Sequence, residues 1–105
     1  MLELRAAVES DAGGALVGVI DGELDLETAP RLADWIADAL ASGSKKVVLD
    51  VAAVSFIDSS GLTALIVGHT EAESAGAQLV LRSVTRQTYD LLVMTGLDQV
   101  LAIER

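Results

Sequence analysis

Lys46-Val47-Val48-Leu49-Asp50-Val51, followed by Val54-Ser55-Phe56-Ile57-Asp58-Ser59-Ser60-Gly61-Leu62, decides how this chain is built. The first stretch is apolar on successive positions instead of alternating. That is the pattern of a strand covered on both faces by helices, so it is expected at the centre of a sheet with parallel neighbours. Beyond it, Leu62, Leu65, Ile66, His69 and Ala72 recur at helical spacing up to a stop at Gly76, and residues 78–81 read as the next strand. A βαβ unit is therefore predicted, with the segment around Asp58 at its strand-to-helix turn.

Toward the N-terminus, residues 2–8 and 15–20 are two β-like runs joined by Ser10-Asp11-Ala12-Gly13-Gly14, a composition that predicts an antiparallel hairpin. Gly22 closes the second run. Leu32, Trp35, Ile36, Ala39 and Leu40 then mark an amphipathic helix, opened by Thr28 and Pro30, stopped by Gly43, with Trp35 expected in the core. Toward the C-terminus, a third helix is expected from Thr85 through Tyr89, Leu92 and Val93 to Met94-Thr95-Gly96, and a last strand over residues 100–103. The order β-β-α-β-α-β-α-β predicts an α/β fold, a mixed sheet with helices packed against it and right-handed crossovers. At 105 residues, without a linker or repeat, residues 1–105 are expected to form one domain.

Composition narrows the function. The chain holds 51% hydrophobic residues, enough for a core, and no Cys, which excludes disulfides, thiolate metal sites and thiol nucleophiles. Seven Lys and Arg stand against 16 Asp and Glu, a formal charge of −9, which repels phosphate backbones and anionic head groups. Nucleic acid and membrane are accordingly not expected as partners. No apolar run reaches membrane-spanning length, and Met1-Leu2-Glu3-Leu4-Arg5 lacks the features of a signal peptide, so a cytoplasmic protein is expected. The charge also opposes self-association, so the expected state is a monomer.

The acids are concentrated: residues 1–44 carry nine acids and two bases, residues 45–105 seven and five. Asp21, Glu23, Asp25 and Glu27 fall on alternate positions, which in an extended segment would turn four carboxylates the same way. Such a row is either a solvated turn or an exposed binding surface.

In open α/β sheets the functional crevice lies beyond the carboxyl ends of the strands. There Asp58, Ser59 and Ser60 stand at the mouth of the second helix, whose orphan N–H groups and dipole favour an oxygen acceptor. Capping alone explains them. The same physics would also let a serine there accept a phosphate and act as a switch. An enzymatic reading fails on distance: the only histidine, His69, is ten residues along the helix from Ser59, a rise of ~15 Å. There is also no Gly-x-Ser-x-Gly elbow and no phosphate-binding glycine loop, so neither catalysis nor a cofactor is expected.

Ser55-Phe56-Ile57-Asp58-Ser59-Ser60-Gly61-Leu62 resembles the signature of the STAS domains, in particular that of the stand-alone bacterial anti-sigma factor antagonists around their phosphorylated serine. Gly22-Glu23-Leu24-Asp25 is similar to that family's second short motif, and Met94-Thr95-Gly96-Leu97 to its C-terminal region. The resemblance implies a partner-switching protein. Unphosphorylated, it binds an anti-sigma factor with serine-kinase activity and so frees a sigma factor; phosphorylation blocks binding, and a serine phosphatase restores it. By motif position Ser59 takes the phosphate, and Glu23, Leu24, Asp25, Asp58, Ser60, Gly61 and Leu62 form the partner-binding surface. The third helix departs from the family in lacking a proline at its start, and no attached module is expected of the kind found in anion transporters or stressosomes. The alternative is the same fold as a non-phosphorylated scaffold, or as an accessory subunit of a multiprotein complex such as a lipid transporter.

Overall fold

The structure, a computed structural model, describes residues 2–8 and 15–104. Its elements are β1 (Leu2–Val8), β2 (Leu16–Leu24), α1 (Ala29–Ala41), β3 (Lys46–Ile57), α2 (Ser59–Ser74), β4 (Gln78–Arg82), α3 (Arg86–Thr95) and β5 (Ala102–Ile103), with a 3-10 turn at Leu97–Gln99. The strands lie side by side in chain order, and β3 is central as expected. β1 runs antiparallel to β2, from Leu2 opposite Gly22 to Val8 opposite Leu16, while β2, β3, β4 and β5 are mutually parallel. The predicted turn at Ser10 to Gly14 lies outside the described residues.

The layering corrects one expectation. Buried residues of all three helices, among them Leu32 and Ile36 of α1, Ala64 and Leu65 of α2 and Leu92 of α3, join Leu2, Ile20, Val47, Leu49, Val51, Leu79 and Leu81 in one core. On the opposite face Ala15, Val17, Val48 and Val80, with Ala102 beside them, form a small cluster to which, among the described residues, no helix contributes. The physical reason is topological. Crossovers of one hand that always advance the same way across a sheet deposit every helix on one face, and covering both faces requires the strand order to reverse. The unbroken apolar run in β3 reflects burial of Val48 among its neighbouring strands, not a second helical layer.

β3 is also longer than expected. The pairing continues beyond Val51, with Glu23 opposite Phe56 and Leu24 opposite Ile57, across register shifts between Val19 and Asp21 and between Gly22 and Glu23. The loops leaving β2 and β3 therefore emerge side by side. The last strand is shorter than expected: Gly96 ends α3 at φ 76°, the chain turns through Leu97–Gln99, and Leu101 N–H donates to Leu97 O at 2.9 Å before pairing begins at Ala102.

α1 and α2 pack closely because α2 has Gly68 at the crossing: a Cβ there would stand 2.8 Å from Ile36 Cδ1. Trp35 is half-buried, its ring resting on the β2 backbone at Gly18, so it packs against the core without being enclosed by it. Each fully buried Leu of this layer contributes roughly 1.5–3 kcal/mol of apolar transfer.

Candidate functional site

The site is built by Asp58. As the N-cap of α2, with extended backbone, it receives the Ser60 and Gly61 N–H groups on Oδ1 at 2.8 and 3.0 Å, two of the helix's orphan donors. Its Oδ2 accepts from Leu26 N–H at 3.3 Å, and its own N–H donates to Leu24 O at 3.1 Å. One residue thus caps a helix and ties the loop after β2 to the loop after β3.

Gly61 closes the same junction. A Cβ there would lie 2.6 Å from Leu24 O, a backbone atom that cannot swing aside. Leu24 is 0% exposed and Gly61 is buried, so neither offers surface to a partner. Leu62 is half-buried against the core. Of the residues the sequence singled out, these three hold the site together from within.

Ser59 is the first residue of α2, and it is exposed, whereas Ser60 is half-buried. Its carbonyl accepts from Thr63 Oγ1 at 2.8 Å, and among the described residues its hydroxyl has no hydrogen-bond partner. His69 is remote from it, with Nε2 3.3 Å from Glu73 Oε1 one turn along α2.

The acidic segment does not form a row. Extended backbone ends at Leu24, and Asp25 turns inward: its Oδ1 accepts from Glu27 N–H at 3.0 Å and Thr28 N–H at 3.0 Å. Its N–H donates to Thr28 Oγ1 at 2.9 Å. The Thr28 N–H above all, against the opposing effect of burial and with help from the Thr28 hydroxyl and the Glu27 N–H, holds the Asp25 carboxyl below its ordinary range. Asp25 is thus a loop organiser that opens α1, where Thr28, as N-cap, has no side-chain bond to the helix itself. Glu23, Asp25 and Glu27 do share one depression, with Thr28, Arg31 and Leu2.

Three apolar side chains for which the sequence suggested no surface role stand exposed here: Leu26 at 75%, Phe56 at 51% and, further along α2, Val67 at 44%. Leu26, Phe56 and Asp58 line one depression together with Asp25 and Glu27. Phe56 leads into a second with Leu91 and Met94 of α3, and Leu26 into a third between α1 and α2. A signal was present in Asp25-Leu26-Glu27, where a large apolar residue interrupts a run of acids.

Among the described residues no cluster of three or more His, Asp or Glu could hold a metal ion, and no helix is long and apolar enough to cross a membrane. The molecule is thus a mixed α/β sheet with one helical layer, and α2 opens with an exposed serine between Asp58 and Ser60, each of which shares a depression with exposed apolar side chains. The chain belongs to the STAS domain family, whose model matches residues 7–105. It is 36% identical over 92 residues to the anti-sigma-F factor antagonist RsfB of Mycobacterium tuberculosis, covering 86% of this chain and 73% of that protein. An anti-sigma factor antagonist from Mycobacterium paratuberculosis superimposes with a TM-score of 0.74 at 29% identity, covering 96% of this chain and 85% of the other. The Thermotoga maritima protein TM1081 does so with 0.84 at 25% identity, covering 95% and 84%.

Proposed function

We propose that this protein is an anti-sigma factor antagonist that works by partner switching. Unphosphorylated, it binds an anti-sigma factor with serine-kinase activity through the surface around Ser59, Ser60, Asp58 and the Glu23–Asp25 loop, and the sigma factor is released. The kinase then transfers the γ-phosphoryl group of ATP to Ser59 Oγ, which loses its proton, and a serine phosphatase hydrolyses the ester to restore binding. The chain itself catalyses nothing in this scheme, acts in the cytoplasm and is a monomer between partners.

The observation that carries the reading is the exposed Ser59 at the first turn of α2, between Asp58, which shares a depression with exposed Leu26 and Phe56, and Ser60, which shares another with Leu26 and Val67. An exposed serine is open to a kinase, and exposed apolar side chains are what a protein partner buries. The similarity to a mycobacterial anti-sigma-F factor antagonist supports the same reading. Incubation with purified serine-kinase anti-sigma factors and ATP, followed by intact-mass and peptide analysis, should find one phosphoryl group on Ser59 and loss of the complex. Phosphate on Ser60 alone would reassign the site. Undiminished binding by the phosphorylated chain would remove the switch, and binding without any phosphorylation would favour the scaffold role.

A further inference from the structure

The groove between α1 and α2, a trough of about 260 Å³, is lined by Leu26, Ala29, Pro30, Ala33, Thr63 and Val67 and begins beside Ser60. Its floor is apolar, and its rims carry one sign of charge. Along α2 the next position on the line of Ser60, Ala64 and Val67 is Glu71, which is exposed. On α1, Asp34 stands exposed one turn beyond Pro30, and Glu27 flanks Leu26 at the open end. No Lys or Arg occurs anywhere in α2, and the one base of α1, Arg31, donates to Leu2 O at 2.6 Å on the side of the sheet.

We infer that this groove seats a helix of the anti-sigma factor whose apolar stripe is flanked by Lys or Arg. The inference rests on the partner-switching reading and specifies the chemistry of the partner. An apolar trough between two helices takes the apolar stripe of a third, and the Glu27, Asp34 and Glu71 rims select basic flanks. The rims also fix a division of labour with the switch. Glu71 is twelve residues from Ser59, ~18 Å along α2, about twice the screening length at physiological salt. A phosphate on Ser59 therefore adds little to the attraction at that end, while it obstructs docking at its own.

Two measurements test this. The first titrates isotope-labelled protein with a synthetic amphipathic helix carrying Leu at i, i+3, i+4 and i+7 and Lys on both flanks, beside a control with Glu in place of Lys. The Lys peptide should shift the amide signals of Leu26, Ala33, Thr63 and Val67, with an affinity that falls as salt rises. Val67→Asp should weaken it by at least about tenfold, and the Glu peptide should not bind. The second takes the kinase that phosphorylates the wild-type chain and measures its affinity for Val67→Asp and Glu71→Lys, both exposed substitutions checked for folding by circular dichroism. Both should bind at least about tenfold more weakly.

Equal affinity of the kinase for these variants overturns the groove proposal and leaves the switch standing. If no kinase acts on Ser59, the switch fails and the peptide titration alone decides the chemistry of the groove. Shifts elsewhere, equal binding of both peptides, or a dimer in sedimentation that Val67→Asp abolishes would each overturn the proposal, the last by giving the groove to a second copy of the chain.

Discussion

At the residue scale the site depends on two close approaches, at Gly61 and at Asp25. Gly61→Ala would drive a methyl group to 2.6 Å from Leu24 O, and because backbone must move, a loss of roughly 2–3 kcal/mol is expected, read as a lower denaturant midpoint. The same variant should bind partners poorly although it presents no surface, because β2 and α2 are pushed apart. For Asp25 the pH dependence is the discriminating test. Its folded-state pKa lies below the ordinary 3.8, so its ionised form stabilises the fold at and above that value, and the contribution is lost as pH falls through the folded-state pKa. Asp25→Asn should have a lower Tm than the wild type at neutral pH, with the gap closing below about pH 3.8. Sequence reading placed Asp25 in the site and gave it to a partner. Nothing in the spacing of Asp21, Glu23, Asp25 and Glu27 reveals that the third turns toward Thr28, because that turn is made largely by backbone N–H groups, which all residue types but proline possess.

At the element scale, α2 is set up to carry added negative charge at its start. Its first turn contains no acid after the cap, and the peptide dipole and remaining N–H groups favour an anion there. Phosphorylated Ser59 and Ser59→Asp should therefore keep the wild-type circular dichroism spectrum and melt within a few degrees of it. Binding is another matter: docking would bury the phosphate beside Asp58 against a surface fitted to a neutral hydroxyl, and an affinity loss on the order of a hundredfold or more is expected, measurable by calorimetry. Ser59→Ala should bind and resist phosphorylation. The three helices were all readable from apolar spacing and from their stops at Gly43, Gly76 and Gly96. The extension of β3 to Ile57 was not, because Ala52-Ala53 interrupts the β-branched run with residues of low strand preference, and only the pairing of Glu23 with Phe56 and Leu24 with Ile57 makes it a strand.

At the scale of the whole molecule, a formal charge of −9 on 105 residues opposes self-association and attracts a basic partner surface. Light scattering at micromolar concentration should give the mass of one chain. The association rate with the kinase should fall steeply with ionic strength while the dissociation rate changes little, as measured by stopped-flow fluorescence of Trp35 or a surface label. The sheet face opposite the helices holds only a small apolar cluster among the described residues, with Val48 at 0% exposure, so it does not compete with the Ser59 surface as an apolar patch.

By itself the sequence determined the element order, the central position of β3, and Asp58-Ser59-Ser60-Gly61 at the start of a helix after that strand, because periodicity, caps and glycine stops are local properties written in consecutive residues. Tertiary structure alone decided that all three helices share one face, which follows from the direction in which the strands advance. It also decided that Leu24 and Gly61 are buried supports, and that Leu26, Phe56 and Val67 line depressions that meet at Leu26, beside Asp58 and Ser60. These residues come from three segments of the chain, and only the side-by-side exit of β2 and β3, joined through Asp58, brings them onto one surface.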